Sequence, residues 1–335
     1  MSSQNLSSLS GMRAIVTGGA GFIGSHLVER LLKLGVEVTI YDNLNRGEES
    51  LRNLHEIYSQ ASKGPRLVVG DVLDFEKIKK TFKDIDIVFH MAALPSHRLA
   101  LNAPREYALV DLMGSANMFE AARISEPSFS VLLGSSNKVY GKQEIPFRED
   151  MQPQPEGPYG QAKSSAEDLG RQYAQYYNIN VPVVRYHHVV GPRSQPDLAL
   201  SIFVERVING LNPIVHGHFE EGQFTPCAAD WTNIADAVDG TILASSVKKF
   251  DIFNLGTGKV KTVLELAELV IKLYKSNLKP ELREMLPHEA LIHCADVRKA
   301  KEKLGFEAKT PFEESIMQYI NWRKTIGSRE SATYR

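Results

Sequence analysis

Arg13-Ala-Ile-Val-Thr-Gly-Gly-Ala-Gly-Phe-Ile-Gly24 is a short apolar run that leads into a glycine-rich turn. Its glycines fit two overlapping patterns, GxGxxG at positions 19, 21 and 24 and GxxGxxG at positions 18, 21 and 24. Glycines are needed where a backbone turns tightly, lets a pyrophosphate approach and opens a helix whose free N–H groups can bind it. A turn without a ligand would have the same composition, so the motif predicts a dinucleotide site only between a strand and a helix.

The segments around this turn alternate between short β-branched runs and amphipathic stretches. The predicted strands are 13–17, 37–41, 66–70, 85–90, 130–133 and 181–185, and the predicted helices are 24–34, 75–82, 104–123 and 159–177. Parallel strands need a crossover connection, which is usually a helix. The alternation therefore predicts an α/β fold with a doubly wound parallel sheet and helices on both faces.

The regular alternation stops after Gly191-Pro192. Scattered Pro, Gly and His predict irregular structure over 193–225. Beyond this stretch, the pattern predicts helices over 233–244, 263–274, 296–304 and 311–324 and a strand over 251–255. We therefore expect a dinucleotide-binding domain over 11–190, with segments returning to it at about 226–256. A smaller, discontinuous C-terminal lobe for the substrate would use 191–225 and 257–325, followed by a flexible tail over 326–335.

Composition excludes several classes of protein. The 335 residues are 43% apolar and 24% charged, which is typical of a folded globular chain. The net charge of −1 provides no basic field for nucleic acid or an anionic membrane. Cys227 and Cys294 are far apart and lack metal-ligand spacing, so neither a disulfide framework nor a metal site is expected. With no leader-like or membrane-spanning apolar run, we expect a cytoplasmic protein.

Two acidic residues follow the predicted second and third strands. Asp42 comes about twenty residues after the turn, where a carboxylate accepts hydrogen bonds from an adenosine ribose and repels a 2′-phosphate. This favours NAD over NADP, although Arg46 could bind that phosphate and Asp42 could instead cap a turn. Asp71 is a candidate for the adenine amino group, or a plain loop carboxylate.

Tyr159 and Lys163 lie one helical turn apart in a predicted helix, so their side chains share a face. A phenol with a pKa of about 10 is a poor base at neutral pH. A lysine ammonium and a nicotinamide cation nearby both favour the phenolate and make a usable general acid/base. An exposed Tyr/Lys pair would have the same spacing. Ser136 follows a predicted strand at the edge where parallel sheets bind ligands, so it is a candidate to hydrogen-bond the reacting hydroxyl.

With these motifs the chain resembles the extended short-chain dehydrogenase/reductase family of NAD-dependent sugar epimerases and dehydratases, typified by UDP-galactose 4-epimerase. The resemblance extends from Arg13 to about Trp322, and further motifs that carry it are His90-Met-Ala-Ala93, Val139-Tyr-Gly141 and Asn254-Leu-Gly-Thr-Gly258. It implies a bound NAD that takes a hydride from a sugar carbon and returns it to the opposite face, while Tyr159 removes the hydroxyl proton. It also implies a homodimer formed through helices 104–123 and 159–177.

The resemblance further implies roles for individual positions. Ser136, Tyr159 and Lys163 match the catalytic triad of the family. The positions implied to bind NAD are Gly18, Gly21, Phe22, Ile23, Gly24, Asp42, Asn43, Asn45, Arg46, Gly47, Asp71, Val72, Met91, Ala92, Ala93, Asp111, Ser135, Tyr159, Lys163, Tyr186 and His187. The positions implied to bind substrate are Pro95, Ser96, Ser136, Asn137, Lys138, Tyr159 and His188.

The chain departs from the family at two kinds of position. Members that dehydrate or decarboxylate the sugar carry an acidic residue just after the catalytic serine, where this chain has Asn137 and Lys138. The family's diphosphate contacts also differ, because His188 replaces an asparagine, Ala229-Asp230-Trp231 replaces Arg-Asp-Phe, and residues 287–293 contain no arginine. Histidines do not supply the fixed charge and fork geometry of a guanidinium. Asp111 stands where asparagine is common.

These observations favour an NAD-dependent epimerase of a nucleotide-activated sugar. The missing arginines leave open an NAD-dependent dehydrogenase or reductase of a sugar, or of another hydroxy or keto compound, without a nucleotide diphosphate. A non-catalytic sensor or scaffold would be expected to lack Tyr159 or Lys163, and both are present. His187 and His188 are either hydrogen-bond donors to an anionic ligand or packed imidazoles at the domain boundary.

Overall fold

The computed structural model describes residues 9–61, 63–125, 130–285 and 290–326. The tail predicted over 326–335 therefore lies outside the described residues except at Ile326. The strands are β1 Arg13–Thr17, β2 Glu37–Asp42, β3 Arg66–Val69, β4 Ile87–His90, β5 Ser130–Ser136, β6 Val181–Tyr186, β7 Val189–Val190, β8 Ile214–Glu220, β9 Gln223–Pro226, β10 Ala228–Asp230, β11 Thr232–Asn233, β12 Phe250–Leu255, β13 Val260–Thr262, β14 Glu281–Glu284 and β15 Ile292–His293.

The helices connect these strands. They are α1 Phe22–Lys33, α2 Glu48–Gln60, α3 Phe75–Thr81, α4 His97–Ala100, α5 Pro104–Tyr107, α6 Gly114–Ser125, α7 Gly157–Tyr177, α8 Ala199–Ile208, α9 Ile234–Ala244, α10 Val263–Leu273, α11 Arg298–Leu304 and α12 Phe312–Thr325. A π-helical segment, Ala108–Met113, joins α5 to α6, and a 3₁₀ turn, Asn137–Val139, follows β5.

The central sheet has seven strands in the order β12-β6-β5-β4-β1-β2-β3. Every neighbouring pair is parallel. Because side chains alternate along a strand, Val16 packs into one core and Ile15 into the other. Helices α1 and α9 cover the first face, and α6 and α7 cover the second. This confirms the predicted doubly wound α/β fold, with the carboxyl ends of β1, β4 and β5 meeting at one edge.

The C-terminal lobe is built on its own apolar core. Short sheets of β13-β10-β15 and β14-β8-β9 surround a core to which α8, α10 and α12 contribute Phe203, Val270 and Ile316. The strand β12 returns to the central sheet beside β6, whereas β10, which also falls within the expected returning segment, pairs with β13 and β15. The exact division into domains stays a prediction.

The expectation of irregular structure over 193–225 is wrong. This stretch contains α8 and the antiparallel pair of β8 and β9. The helix buries Leu200, Phe203, Val204 and Val207, which have the i, i+3, i+4, i+7 spacing of an amphipathic helix. The scattered Pro, Gly and His around it concealed that pattern.

Helix α2 was not predicted either. Its buried positions have helical spacing, but two of the four, Ser50 and Asn53, are polar, and only Leu54 and Ile57 are apolar. The Asn53 amide donates to the Ala20 carbonyl at 2.9 Å, so this helix braces the glycine-rich turn. In the described part of the chain, no helix combines the length and apolar character needed to cross a membrane.

Candidate active site

The glycine-rich turn has the close backbone packing that its motif predicts. Gly18 has a φ of +66°, and its N–H donates to the Tyr41 carbonyl at 2.9 Å, which joins the turn to β2. A Cβ atom on Gly24 would lie 2.1 Å from the Gly18 carbonyl oxygen, so any side chain there would displace the turn. Helix α1 begins with Gly21 as its N-cap and without a side-chain cap in the described chain. Its first N–H groups are therefore available to a phosphate.

A cleft of about 960 Å³, counting the part open to solvent, runs along the carboxyl edge of the sheet. It brings together most of the positions expected to bind NAD: Gly18, Gly21, Phe22, Ile23, Gly24, Asp42, Asn43, Asn45, Arg46, Val72, Met91, Ala92, Ala93, Ser135, Tyr159, Lys163 and Tyr186. Further wall residues that the sequence analysis did not single out are Tyr41, Gly70, Leu94, Val110, Gly134 and Gln195. The first five flank predicted residues along the chain, whereas Gln195 comes from the segment whose fold was not predicted.

Asp42 has two roles in this cleft. Its Oδ2 accepts from the Ala20 N–H at 3.0 Å and its Oδ1 from the Leu44 N–H at 2.8 Å, so it caps the turn. The residue also lines the cleft at the end of β2, where the ribose contact was expected. Burial raises the pKa of the Asp42 carboxyl, while the two N–H groups and Arg46 oppose that rise. Arg46 itself binds Glu49 at 2.7 Å, so its charge is already paired.

Four positions expected to bind NAD, Gly47, Asp71, Asp111 and His187, are outside the cleft wall. Gly47 is the N-cap of α2. Asp71 accepts from Asn43 Nδ2 and from the Leu73 N–H, both at 2.9 Å, which matches the loop-carboxylate interpretation. His187 is fully buried beside the stacked rings of Tyr140 and Phe147, with centroids 6.4 and 6.3 Å away. Its imidazole is therefore packed inside the domain.

Asp111 lies behind the wall, in the π-helical segment. Its Oδ1 accepts from the Leu94 N–H at 2.8 Å, and its buried Oδ2 has no hydrogen-bond partner among the described residues. Burial raises the pKa of this carboxyl, and the nearby Lys163 ammonium lowers it. Because Leu94 lines the cleft, Asp111 positions the wall through a backbone contact. Tyr186 does line the cleft, although its hydroxyl contacts Thr241 Oγ1 at 2.7 Å and is thus held within the domain.

Two of the three expected catalytic side chains, Tyr159 and Lys163, form the floor of the cleft, whereas Ser136, next to the Tyr159 phenol, is outside the cleft wall. A hydrogen bond joins the side chains of Ser136 and Tyr159 and lowers the pKa of the phenol, while burial, the larger effect, and the Asp111 charge raise it. Lys163 lies one turn along α7, with Nζ 6.0 Å from the centroid of the Tyr159 ring. This ammonium donates to the Gly134 carbonyl at 3.0 Å, which fixes it against β5. The arrangement is a protonated, buried phenol with a hydroxyl partner and a fixed cation nearby.

A buried ion pair that the sequence analysis missed anchors this floor. Glu167, one further turn along α7, binds Arg185 of β6 through two contacts of 3.0 and 2.6 Å. The Ser135 hydroxyl of β5 donates to the same carboxylate. Glu167 is one turn beyond Lys163 on the face that carries Tyr159, which is the signal that could have identified it. The pair ties α7 to both strands that flank the catalytic groups.

The expected substrate side is rich in imidazoles. Asn137 Nδ2 lies 3.4 Å from His188 Nδ1, and Lys138 Nζ lies 3.2 Å from His293 Nε2. Burial lowers the pKa of His188 to about 3, so this imidazole is neutral at physiological pH. Pro95 lines the cleft, whereas the Ser96 hydroxyl caps α4. His293 did not emerge from the sequence as a site residue.

The positions of the family's phosphate contacts carry no guanidinium among the described residues. Ala229 and Trp231 are buried, and the indole N–H of Trp231 donates to the Lys261 carbonyl at 2.9 Å. Asp230 between them accepts from the N–H groups of Thr257 and Gly258 at 2.8 and 2.9 Å. Residues 229–231 therefore make structural contacts within the lobe. The difference from the family's phosphate-binding motif, seen in the sequence, is also present in the fold.

Comparisons with known proteins cover nearly the whole chain. The family model described as GDP-mannose 4,6 dehydratase matches residues 15–319. A UDP-glucuronate 4-epimerase of Thermodesulfobacterium geofontis is 31% identical over 92% of this chain and 95% of its own. The crystal structure of UDP-glucuronic acid 4-epimerase from Bacillus cereus, in complex with UDP-glucuronic acid and NAD, superposes with a TM-score of 0.84 at 26% identity over 94% of this chain and 99% of its own.

A second solved structure is equally similar. The UDP-glucose 4-epimerase of Thermus thermophilus in complex with NAD has a TM-score of 0.83 at 29% identity, covering 94% of this chain and all of its own. The family model and the solved structures thus match this chain and its fold over nearly the whole length. This chain belongs to the extended short-chain dehydrogenase/reductase family of NAD-dependent sugar epimerases and dehydratases.

Proposed function

We propose that this protein is an NAD-dependent 4-epimerase of a UDP-linked sugar. The observation that carries the proposal is that Tyr159 and Lys163 line a dinucleotide cleft and that the Ser136 hydroxyl hydrogen-bonds the Tyr159 phenol. The solved relatives that share this fold include one in complex with a UDP-sugar and NAD and one in complex with NAD. The acidic residue that dehydratases carry after the catalytic serine is replaced by Asn137 and Lys138.

The residues present fit NAD. A Cβ atom on Gly18 would lie 2.8 Å from the Ala92 backbone and one on Gly24 2.1 Å from the Gly18 carbonyl oxygen, so glycines keep the tight turn that a pyrophosphate needs. Asp42 presents a carboxylate at the ribose position. When bound, NAD supplies an electrophilic nicotinamide that takes a hydride from the sugar carbon and gives it back, and its positive charge favours the phenolate beside it. Tyr159 removes the proton of the sugar hydroxyl and later returns it.

The groups around Tyr159 determine the protonation state of its phenol. Burial and Asp111 raise the pKa of the phenol, so the proton stays on Tyr159 while the cleft is empty. The Ser136 hydroxyl hydrogen-bonds the phenol and is placed to hold the reacting sugar oxygen. Lys163, fixed on the Gly134 carbonyl, supplies the protein's own positive charge on this side of the cleft.

A second candidate, a dehydrogenase or reductase of a substrate without a diphosphate, is favoured by one observation. Among the described residues, no guanidinium stands at positions 229–231, where family members hold phosphate. Under the favoured proposal the sugar nucleotide occupies the lobe formed by 191–225 and 257–325, and His188, Asn137 and backbone N–H groups provide its polar contacts. We also propose a cytoplasmic location, because the chain has only two cysteines, Cys227 and Cys294, and their number and spacing do not form the disulfide framework typical of secreted domains.

We further propose a homodimer formed through the helical layer of α6 and α7. Met113, Ile124, Tyr176 and Tyr177 are exposed on or next to these helices, and Met113 is 50% exposed. Apolar side chains grouped on one helical layer are typical of a protein interface. The family resemblance implies the same layer.

The first prediction concerns Tyr159. Tyr159→Phe removes only the acid/base hydroxyl, so turnover of a UDP-sugar should fall by about 10²–10⁴-fold while NAD affinity changes little. In the wild type, kcat/KM should rise with pH because the active form is the phenolate, whose pKa burial has raised. The variant should lack that alkaline rise. Turnover that survives the substitution would remove Tyr159 from the mechanism.

The second prediction concerns the choice of cofactor. Asp42→Ala removes the carboxylate that repels a 2′-phosphate, so the ratio of NADP to NAD affinity should rise by about tenfold or more. NAD affinity should also fall, because the Ala20 and Leu44 N–H groups lose their acceptor. Titration calorimetry with both cofactors measures the ratio, and an unchanged ratio would reject the ribose role.

The third prediction concerns assembly. Light scattering at micromolar concentration should give twice the mass of one chain, and Met113→Glu should shift the protein toward monomer by placing a charge in the interface. The matched control is Leu282→Glu, at a residue that is 40% exposed on β14 of the other lobe. A monomer mass for the wild type contradicts the proposed dimer.

A further inference from the structure

A buried ammonium–carboxylate pair is formed by residues that lie close in the chain to Ser136 and Tyr159. Lys138 is in the 3₁₀ turn after β5, and its N–H donates to Ser136 Oγ at 3.2 Å. Its Nζ donates to Glu156 Oε2 at 3.0 Å, and the two side chains are only 15% and 7% exposed. Glu156 is the N-cap of α7, three residues before Tyr159. The pair therefore bridges the two segments that supply the catalytic groups.

His293 completes the cluster from the other lobe. Lys138 Nζ lies 3.2 Å from His293 Nε2, and an ammonium can only donate, so Nε2 accepts and the ring proton is on Nδ1. Burial and the Lys138 charge lower the pKa of His293 well below its usual value. The cluster of Lys138, Glu156 and His293 therefore contains one positive charge, one negative charge and a neutral imidazole.

The cluster has unused hydrogen-bonding capacity. Glu156 Oε1 and His293 Nδ1 are both buried and have no partner among the described residues. One is an acceptor and the other a donor, and the Lys138 ammonium has a third N–H beyond those given to Glu156 and His293. Buried polar atoms without partners are costly, so a ligand that completes them gains affinity. A sugar hydroxyl, which both donates and accepts, matches this set.

We infer that Lys138, Glu156 and His293 form a substrate-specificity site, which binds uncharged hydroxyls of the sugar ring and disfavours a uronate. This inference rests on the proposed function. The cluster is already neutral, so the carboxylate of a uronic acid would add an uncompensated negative charge near Glu156 in a poorly solvated site. The Lys138 charge cannot offset it because Glu156 already uses that charge. In this respect the chain would differ from its relatives named as UDP-glucuronate 4-epimerases.

The test compares UDP-glucose with UDP-glucuronate as substrates of the NAD-loaded protein. Wild-type kcat/KM should favour UDP-glucose by about tenfold or more, and Glu156→Gln, which removes the charge but keeps the shape, should reduce that preference by about tenfold. Glu205→Gln is the matched control, because Glu205 forms a comparable ion pair with Arg323 in the other lobe and is 12% exposed. This control should leave the ratio unchanged.

The outcomes separate this inference from the proposed function. A wild-type preference for UDP-glucuronate, or a ratio that Glu156→Gln does not move, contradicts the inference and leaves the epimerase proposal standing. Failure to convert either sugar with NAD bound contradicts the inference, and failure to convert any of a wider panel of UDP-sugars contradicts the proposed function as well. If Glu156→Gln does not fold, the wild-type ratio alone still decides, because the charge argument requires UDP-glucose to be the better substrate.

Discussion

The ion pair between Glu167 and Arg185 is the constraint on which the catalytic floor depends. Both side chains are almost fully buried, and the carboxylate also accepts from the Ser135 hydroxyl. Arg185 lies over the Tyr140 ring, with Cζ 4.6 Å from its centroid. One interaction thus joins α7, β5 and β6. Removing either partner would leave a buried charge, which typically costs about 3–5 kcal/mol.

The helix held by this pair gives the site its geometry. Tyr159, Lys163 and Glu167 succeed one another at four-residue intervals, so they project from one face of α7 toward the sheet. Gly170 allows the close approach, because a Cβ atom there would lie 2.8 Å from Val181 Cγ1. The anchor therefore sets the position of the phenol in the cleft wall, and Lys163 reaches the Gly134 carbonyl from the same face.

The parts of the molecule that could be predicted from the sequence are those determined by residues close together in the chain. The strand–turn–helix at 13–24 and the Tyr159/Lys163 spacing each lie within one short stretch, so the sheet and most of the NAD cleft could be predicted. In the lobe after Gly191 the later helices were predicted, but α8 and the pair of β8 and β9 were not, because the scattered Pro, Gly and His around them concealed their patterns. Glu156 and His293 are 18 and 155 residues from Lys138, and only the fold brings the three together. Asp71 and His187 were expected to bind NAD because of their residue types and positions. In the fold, Asp71 makes hydrogen bonds within the protein and His187 packs against aromatic rings.

The central claim is that this cleft oxidises a sugar carbon and returns the same hydrogen to it. The most direct measurement follows UDP-glucose deuterated at C4, incubated with NAD and the protein, by proton NMR and by the absorbance of reduced nicotinamide. The account predicts new anomeric signals from the epimer, deuterium retained at C4 and no net reduced cofactor. Accumulation of reduced cofactor with a keto product, or no new sugar signal, would contradict it.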